Sequence, residues 1–174
     1  MMLAIIGRLG NWKLQSTSLK ILKECRLASL ELATLIWQRL QPLSDWVVFA
    51  EERDADINQN SRWVPHGISP DFTVFSYQGL KQRFKRHQDG TKTDDHGRRS
   101  FCTVLIYLNE PSKGGQSVLY HDSSSDAAHI ISPTVGRCLV FRHSVWHSAW
   151  PATEGTKVVL RADVMFNEQK RRGR

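Results

Sequence analysis

A mainly β fold, a barrel or two-sheet sandwich with an N-terminal helix buttressing one side, is the expectation for this 174-residue chain. Three features predict it. Apolar residues recur at helical spacing up to Leu40. From Trp46 onward, short runs rich in Val, Ile, Phe, Tyr and Thr take over. Clusters of Gly, Pro, Asp, Asn and Ser separate those runs, as turns do between strands. A helix followed by several short strands buries its apolar faces by layering.

Taken in order, residues 17–40 read as the helix. Leu19, Ile21, Leu22, Leu27, Leu30, Leu32, Leu35, Ile36 and Leu40 recur near helical spacing, Ser16, Thr17 or Ser18 offers a cap, and Pro42 closes the segment. The first fifteen residues carry no clear pattern. Strands are expected near 46–50, 72–78, 82–89, 100–109, 116–121, 137–143 and 157–166. Loops are expected at 94–98, 111–115 and 123–128, the last with a surface run, Ser123-Ser124-Ser125. The chain then divides into a helical segment (1–45) of the same domain, a β core (46–168) and a basic tail (169–174).

Composition bounds the class. Apolar residues at 40% and charged residues at 24% suit one globular domain with a full core. Cys25, Cys102 and Cys138 are widely spaced, with no zinc or pairing motif, and read as reduced and mostly buried in an intracellular protein. The opening residues are too short and weakly apolar for a signal peptide, and no run reaches transmembrane length, so a cytoplasmic location is expected. Net charge is +7, which favours acidic partners through long-range steering, nucleic acid included.

Two segments carry the chemistry. In a strand, residues i and i+2 share a face, so His87 and Asp89 of Arg83-Phe84-Lys85-Arg86-His87-Gln88-Asp89-Gly90 would aim an imidazole and a carboxylate at one point. A second imidazole, from His143 or from His147, would complete a 2-His-1-carboxylate facial triad, which leaves adjacent positions open on Fe(II). Further on, Lys157 and Arg161 lie on one face of the last strand, together with Val159. A metal followed by cations on one strand face suits a dicarboxylate co-substrate.

The stretch from about residue 62 to 166 resembles the iron- and 2-oxoglutarate-dependent oxygenases, in particular their prolyl 4-hydroxylase-like branch. The matching blocks stand in order: Tyr77-Gln78-Gly79 before Phe84 to Gly90, then Leu105 to Glu110, Gly114-Gly115-Gln116-Ser117, Gly136 to Phe141, and His147 to Phe166. A lone His-x-Asp is weak; five ordered blocks are not. The resemblance implies a double-stranded β-helix, a cupin-like jelly roll, with the metal between the sheets at one open end. The strands that the family carries before its helix are not evident in the first 45 residues.

The resemblance also assigns roles. It aligns His147, with Pro151 and Gly155 following, as the second imidazole, and leaves His143 beside the site. Iron would be held by His87, Asp89 and His147. A basic residue near Lys157 would pair with the distal carboxylate of 2-oxoglutarate, and Tyr77 would hydrogen-bond it. Arg161 would share that pairing, bind the carboxylate nearer the metal, or hold Asp163. Tyr107 and Asn109 belong to the strand facing the co-substrate, and Trp146 and Trp150 flank the metal histidine as candidates for the substrate mouth. His66, His96, His121 and His129 read as surface residues. The cofactors implied are Fe(II), 2-oxoglutarate and dioxygen, with ascorbate a candidate accessory.

The implied activity is hydroxylation of an unactivated C–H bond on a peptidyl prolyl or other amino-acid residue, giving succinate and CO2. The cations of 81–99 then serve as a solvated loop that attracts anionic 2-oxoglutarate. An Asp ligand argues against halogenation, where a halide needs the carboxylate's position. A nucleic-acid demethylase of the same superfamily is the alternative that the charge favours, although the final strand lacks the paired arginines of those enzymes. A non-catalytic or 2-oxoglutarate-independent cupin-like metal protein is the other, and it would have no use for Lys157 and Arg161.

Overall fold

The computed structural model describes residues 4–8, 24–42, 61–79 and 83–170. In chain order the elements are β1 (Ala4–Arg8), β2 (Glu24–Ala28), α1 (Leu30–Leu40), β3 (Ser61–Ile68), β4 (Asp71–Gln78), β5 (Phe84–His87) and β6 (Arg99–Tyr107). They continue with β7 (Lys113–Gly114), β8 (Ser117–Tyr120), β9 (Ala127–Ile131), β10 (Arg137–Arg142), β11 (Trp146–Ala149), β12 (Ala152–Glu154) and β13 (Thr156–Lys170).

All pairings are antiparallel. The major sheet runs β1-β10-β6-β13-β4-β2, with β3 also on β13, and the minor sheet runs β5-β11-β8-β9. Two sheets facing one another give the expected double-stranded β-helix. At its centre lies β13, which is buried on both faces because its residues alternate between two cores. Leu160, Ala162 and Val164 join Phe72, Val104, Ile106 and Val140 in the outer core under α1. Val159 joins Tyr77, Tyr107, Leu119, Leu139 and Phe141 in the inner core between the sheets. This period of two also places Lys157, Arg161 and Asp163 on the inner face.

The helix is shorter than residues 17–40. Glu24–Ala28, assigned to the helix by its apolar spacing, instead pairs as a strand with β4, from Glu24 opposite Phe75 to Ala28 opposite Asp71. The helical pattern there is overridden because the hydrogen-bonding edge of β4 is available to that segment. Helix α1 starts only after Ser29, whose hydroxyl accepts from the Leu32 N–H at 3.1 Å, so the cap is Ser29 rather than Ser16, Thr17 or Ser18. Ala33, Ile36 and Leu40, one helical stripe, are buried against the major sheet. Ser29→Ala should lower stability by about 1 kcal/mol, read as an earlier urea midpoint at unchanged slope.

Strands do precede the helix: β1 covers the β10 edge and β2 the β4 edge. Strands β3, β7, β9, β11 and β12 also lie where none was expected, β7 inside the expected 111–115 loop and β9 overlapping the expected 123–128 loop. The expected strand at 46–50 and the end of the basic tail fall outside the described residues. The cysteines are free, with Cys102 and Cys138 buried. No helix among the described residues is long and apolar enough to cross a membrane.

Candidate metal centre and its cavity

Antiparallel pairing of β5 with β11 sets His87 directly opposite His147, with ring centroids 4.2 Å apart. Asp89 lies just past the end of β5, not within a strand to 89 as expected. Its backbone N–H donates to the His143 carbonyl at 3.0 Å, which turns the loop inward. One ligand atom from each of His87, Asp89 and His147 then lies within 4.8 Å of the others. His87 Nε2 is 3.7 Å from Asp89 Oδ1, and His147 Nε2 is 3.7 Å from Asp89 Oδ2.

The tautomers follow from the backbone. His87 Nδ1 lies 2.8 Å from the Lys85 carbonyl and His147 Nδ1 3.0 Å from the Val145 carbonyl. A carbonyl only accepts, so each Nδ1 carries its proton and each Nε2 faces Asp89. Burial pushes the His147 imidazole down to about 4, against the pull of Asp89, so this ring is neutral at pH 7. Burial alone would raise the Asp89 carboxyl, but Arg161, His147 and the Thr103 hydroxyl together hold it below the usual carboxylate range. Two imidazole Nε2 atoms and an ionised carboxylate converge at separations too long for hydrogen bonds. That donor set fits a divalent first-row metal ion.

Behind the triad a cavity of about 90 Å³ closes on Lys157. Register explains its depth: Lys157 pairs across β13 with Tyr77 of β4, while Val159 sits between Phe75 of β4 and Tyr107 of β6. Lys157 is 1% exposed. Its Nζ lies 3.3 Å from Ser117 Oγ and 5.2 and 5.4 Å from the Tyr77 and Tyr107 ring centroids. Among the described residues no carboxylate pairs with it, and burial pushes its ammonium down to about 7. The Tyr107 hydroxyl is buried near Ser117 yet makes no hydrogen bond of normal geometry. A buried cation beside unused donors and rings fits a carboxylate entering from the metal side.

Other site expectations sort out by position. The Arg161 guanidinium lies 3.0 Å from Asp163 Oδ1 and 3.4 Å from Asp89 Oδ2, at the metal end of the cavity. His143 is outside the triad, with its Nε2 3.4 Å from Asp163 Oδ1. Asn109, beyond the end of β6, does not face the cavity. It clamps the start of β13, accepting from the Val158 N–H at 2.6 Å and donating to the Thr156 carbonyl at 2.8 Å. Neither Trp146 nor Trp150 lines the cavity; Ser148 and Ala149, between them, do. His66, His96, His121 and His129 are exposed, as expected.

Sequence reasoning missed Thr103, whose hydroxyl donates to Asp89 Oδ2, although its place two and four residues before Leu105 and Tyr107 puts it on their face. It also missed Phe84 and Phe75, whose rings meet edge-on at 5.4 Å beside His87 and wall one side of the cavity. Gly114 keeps the turn before β8 open. Its φ is +79°, and a Cβ there would collide with the Pro151 carbonyl.

Two facing antiparallel sheets with two imidazoles and one carboxylate converging between them define a double-stranded β-helix protein with a candidate metal centre. The chain belongs to the 2OG-Fe(II) oxygenase superfamily, whose family model matches residues 72–162, more than half of its length. The cofactors of that family are Fe(II), 2-oxoglutarate and dioxygen, and the protein is a 2-oxoglutarate-dependent dioxygenase. Solved structures agree on the fold. A truncated viral collagen prolyl hydroxylase from Paramecium Bursaria Chlorella virus-1 is 16% identical, with a TM-score of 0.52 over 82% of this chain and 73% of that one. A prolyl 4-hydroxylase from Phytophthora capsici is 18% identical, with a TM-score of 0.50 over 81% of this chain and 46% of that one. No curated protein sequence matches the chain directly.

Proposed function

We propose that His87, Asp89 and His147 hold one Fe(II), that Lys157 and Tyr77 take the distal carboxylate of 2-oxoglutarate, and that the protein hydroxylates a peptidyl prolyl or other amino-acid residue. Succinate and CO2 are the co-products. The observation that carries this reading is Lys157: a cation 1% exposed, with no anionic partner among the described residues, at the closed end of a cavity whose other end is the triad. Iron, when bound, couples oxidative decarboxylation of 2-oxoglutarate to insertion of one oxygen atom into a C–H bond.

The chain's own groups place and shield the reactants. Lys157 supplies the point charge for the distal carboxylate, and Tyr107 offers an unused hydroxyl nearby. Leu119, Phe141 and Val159 line the cavity with apolar surface and exclude water from it. Thr103 and the backbone carbonyls of Lys85 and Val145 fix the orientations of the three metal-facing groups.

The substrate side is an open groove of about 700 Å³ on the inner face of the major sheet, toward its β2 edge. Glu24, Arg26, Asp71 and Thr73 lie on one side of it and Phe84 and Lys92 on the other. It shares Phe75, Phe84, Asp89 and Arg161 with the inner cavity, so a substrate lying there reaches the metal centre. Its size, mixed polarity and openness to solvent favour a segment of peptide over a small enclosed ligand. The test is a turnover panel of proline-containing peptides and free amino acids with Fe(II) and 2-oxoglutarate, reading succinate and the mass of the substrate. A peptide gaining 16 Da in step with succinate is expected from ~one oxygen atom inserted per turnover. No substrate-stimulated succinate across the panel, from protein that binds the metal, would contradict this substrate class.

A further inference from the structure

Arg161 and Asp163 stand two residues apart on the inner face of β13. The Arg161 guanidinium approaches Asp163 through both terminal nitrogens, at 3.0 and 3.4 Å, while only one of them comes within 3.4 Å of Asp89 Oδ2. Asp163 is fully buried. Its Oδ2, which Arg161 Nη1 reaches at 3.4 Å, also takes Lys92 Nζ at 2.6 Å, and Lys92 belongs to the loop that leaves Asp89. That loop is pinned a second time, because the Lys92 N–H donates to Ser100 Oγ at 2.9 Å and the Ser100 N–H to the Lys92 carbonyl at 2.9 Å.

A guanidinium beside a lone carboxylate closes on it as a fork, with two parallel hydrogen bonds. Closed on Asp89 in that way, Arg161 would consume the lone pairs that face the two Nε2 atoms. Here the fork is turned away. We infer that Asp163 is a positioning residue that holds Arg161 off Asp89 and so reserves the Asp89 carboxylate for a metal ion. The inference rests on the reading of Asp89 as a metal ligand. It makes Arg161 a restrained competitor for that carboxylate, and it explains why a fully buried acid stands next to the centre without facing it.

Metal affinity is the readout, with Co(II) as the probe, measured by calorimetry and by its visible absorption on the full chain. Asp163→Asn keeps an oxygen for Lys92 but removes the charge that holds Arg161, and is expected to weaken Co(II) binding about tenfold, within the range for outer partners of a ligand. Adding Arg161→Met to that variant is expected to bring the affinity back to within about threefold of the parent, which general damage to the fold would not allow. The single Arg161→Met, in which Asp163 retains Lys92, should bind Co(II) at least as tightly as the parent. This variant keeps the test decisive if Asp163→Asn does not fold. Unchanged affinity in Asp163→Asn, no recovery in the double variant, or a tenfold loss in Arg161→Met would each overturn the inference. A parent protein that binds no Co(II) at all would instead overturn the metal reading beneath it.

Discussion

Lys157→Met should abolish 2-oxoglutarate binding and at the same time raise the melting temperature of the ligand-free protein. Both effects come from the same burial. Taking the ammonium out of water without a counter-charge pushes Lys157 down to about 7. The unfolded chain holds its proton up to the ordinary lysine range near pH ~10.4. Between those two values the unfolded state binds more protons than the folded state, so stability rises as pH rises from about 7. Well below pH 7 the penalty is fully present, on the order of 5 kcal/mol. Methionine fills similar space without charge, so the variant loses the penalty and its melting temperature no longer climbs between pH 7 and 10. On the proposed reading, 2-oxoglutarate supplies the missing anion in the parent. Binding should therefore take up a proton above about pH 7 and weaken toward alkaline pH, as calorimetry in buffers of different ionisation enthalpy would record. A variant that binds 2-oxoglutarate like the parent, or melts lower at every pH, would remove Lys157 from this role.

The second large effect separates two histidines four residues apart. His147→Ala should lower Fe(II) affinity by more than ~100-fold, beyond the range typical of outer partners, because it deletes a donor whose Nε2 faces Asp89. His143→Ala should retain close to one equivalent of iron, since its ring faces Asp163 instead. Anaerobic equilibrium dialysis followed by metal analysis reads both. Iron retained in His147→Ala, or lost in His143→Ala with the fold intact, would move the ligand assignment from one to the other.

Much of the site was legible because β-strands repeat every two residues. That period alone groups Lys157, Val159 and Arg161 on one face, and five ordered blocks are enough to carry the resemblance. What stayed hidden depends on pairings that local sequence does not encode. The same-face rule offers Lys157 and Arg161 equally to a co-substrate; only the register of β13 against β4 puts Lys157 at the closed end beside Tyr77, and Arg161 at the metal end. Asn109 looked like part of the co-substrate face because it stands two residues after Tyr107, but β6 stops at Tyr107 and Asn109 turns to clamp β13. Glu24–Ala28 carried a helical pattern, yet the edge of β4 took it as a strand. Short strands such as Trp146–Ala149 are too brief to show a period, and pairing on both sides, with β5 and β8, is what makes them strands.

The most direct test of the centre as a whole is an anaerobic calorimetric titration of 2-oxoglutarate into the full chain, with and without Fe(II). One molecule bound per chain is expected, much more tightly with the metal than without it. Absence of binding, or an affinity indifferent to iron, would contradict a metal held by His87, Asp89 and His147 at the mouth of the Lys157 cavity.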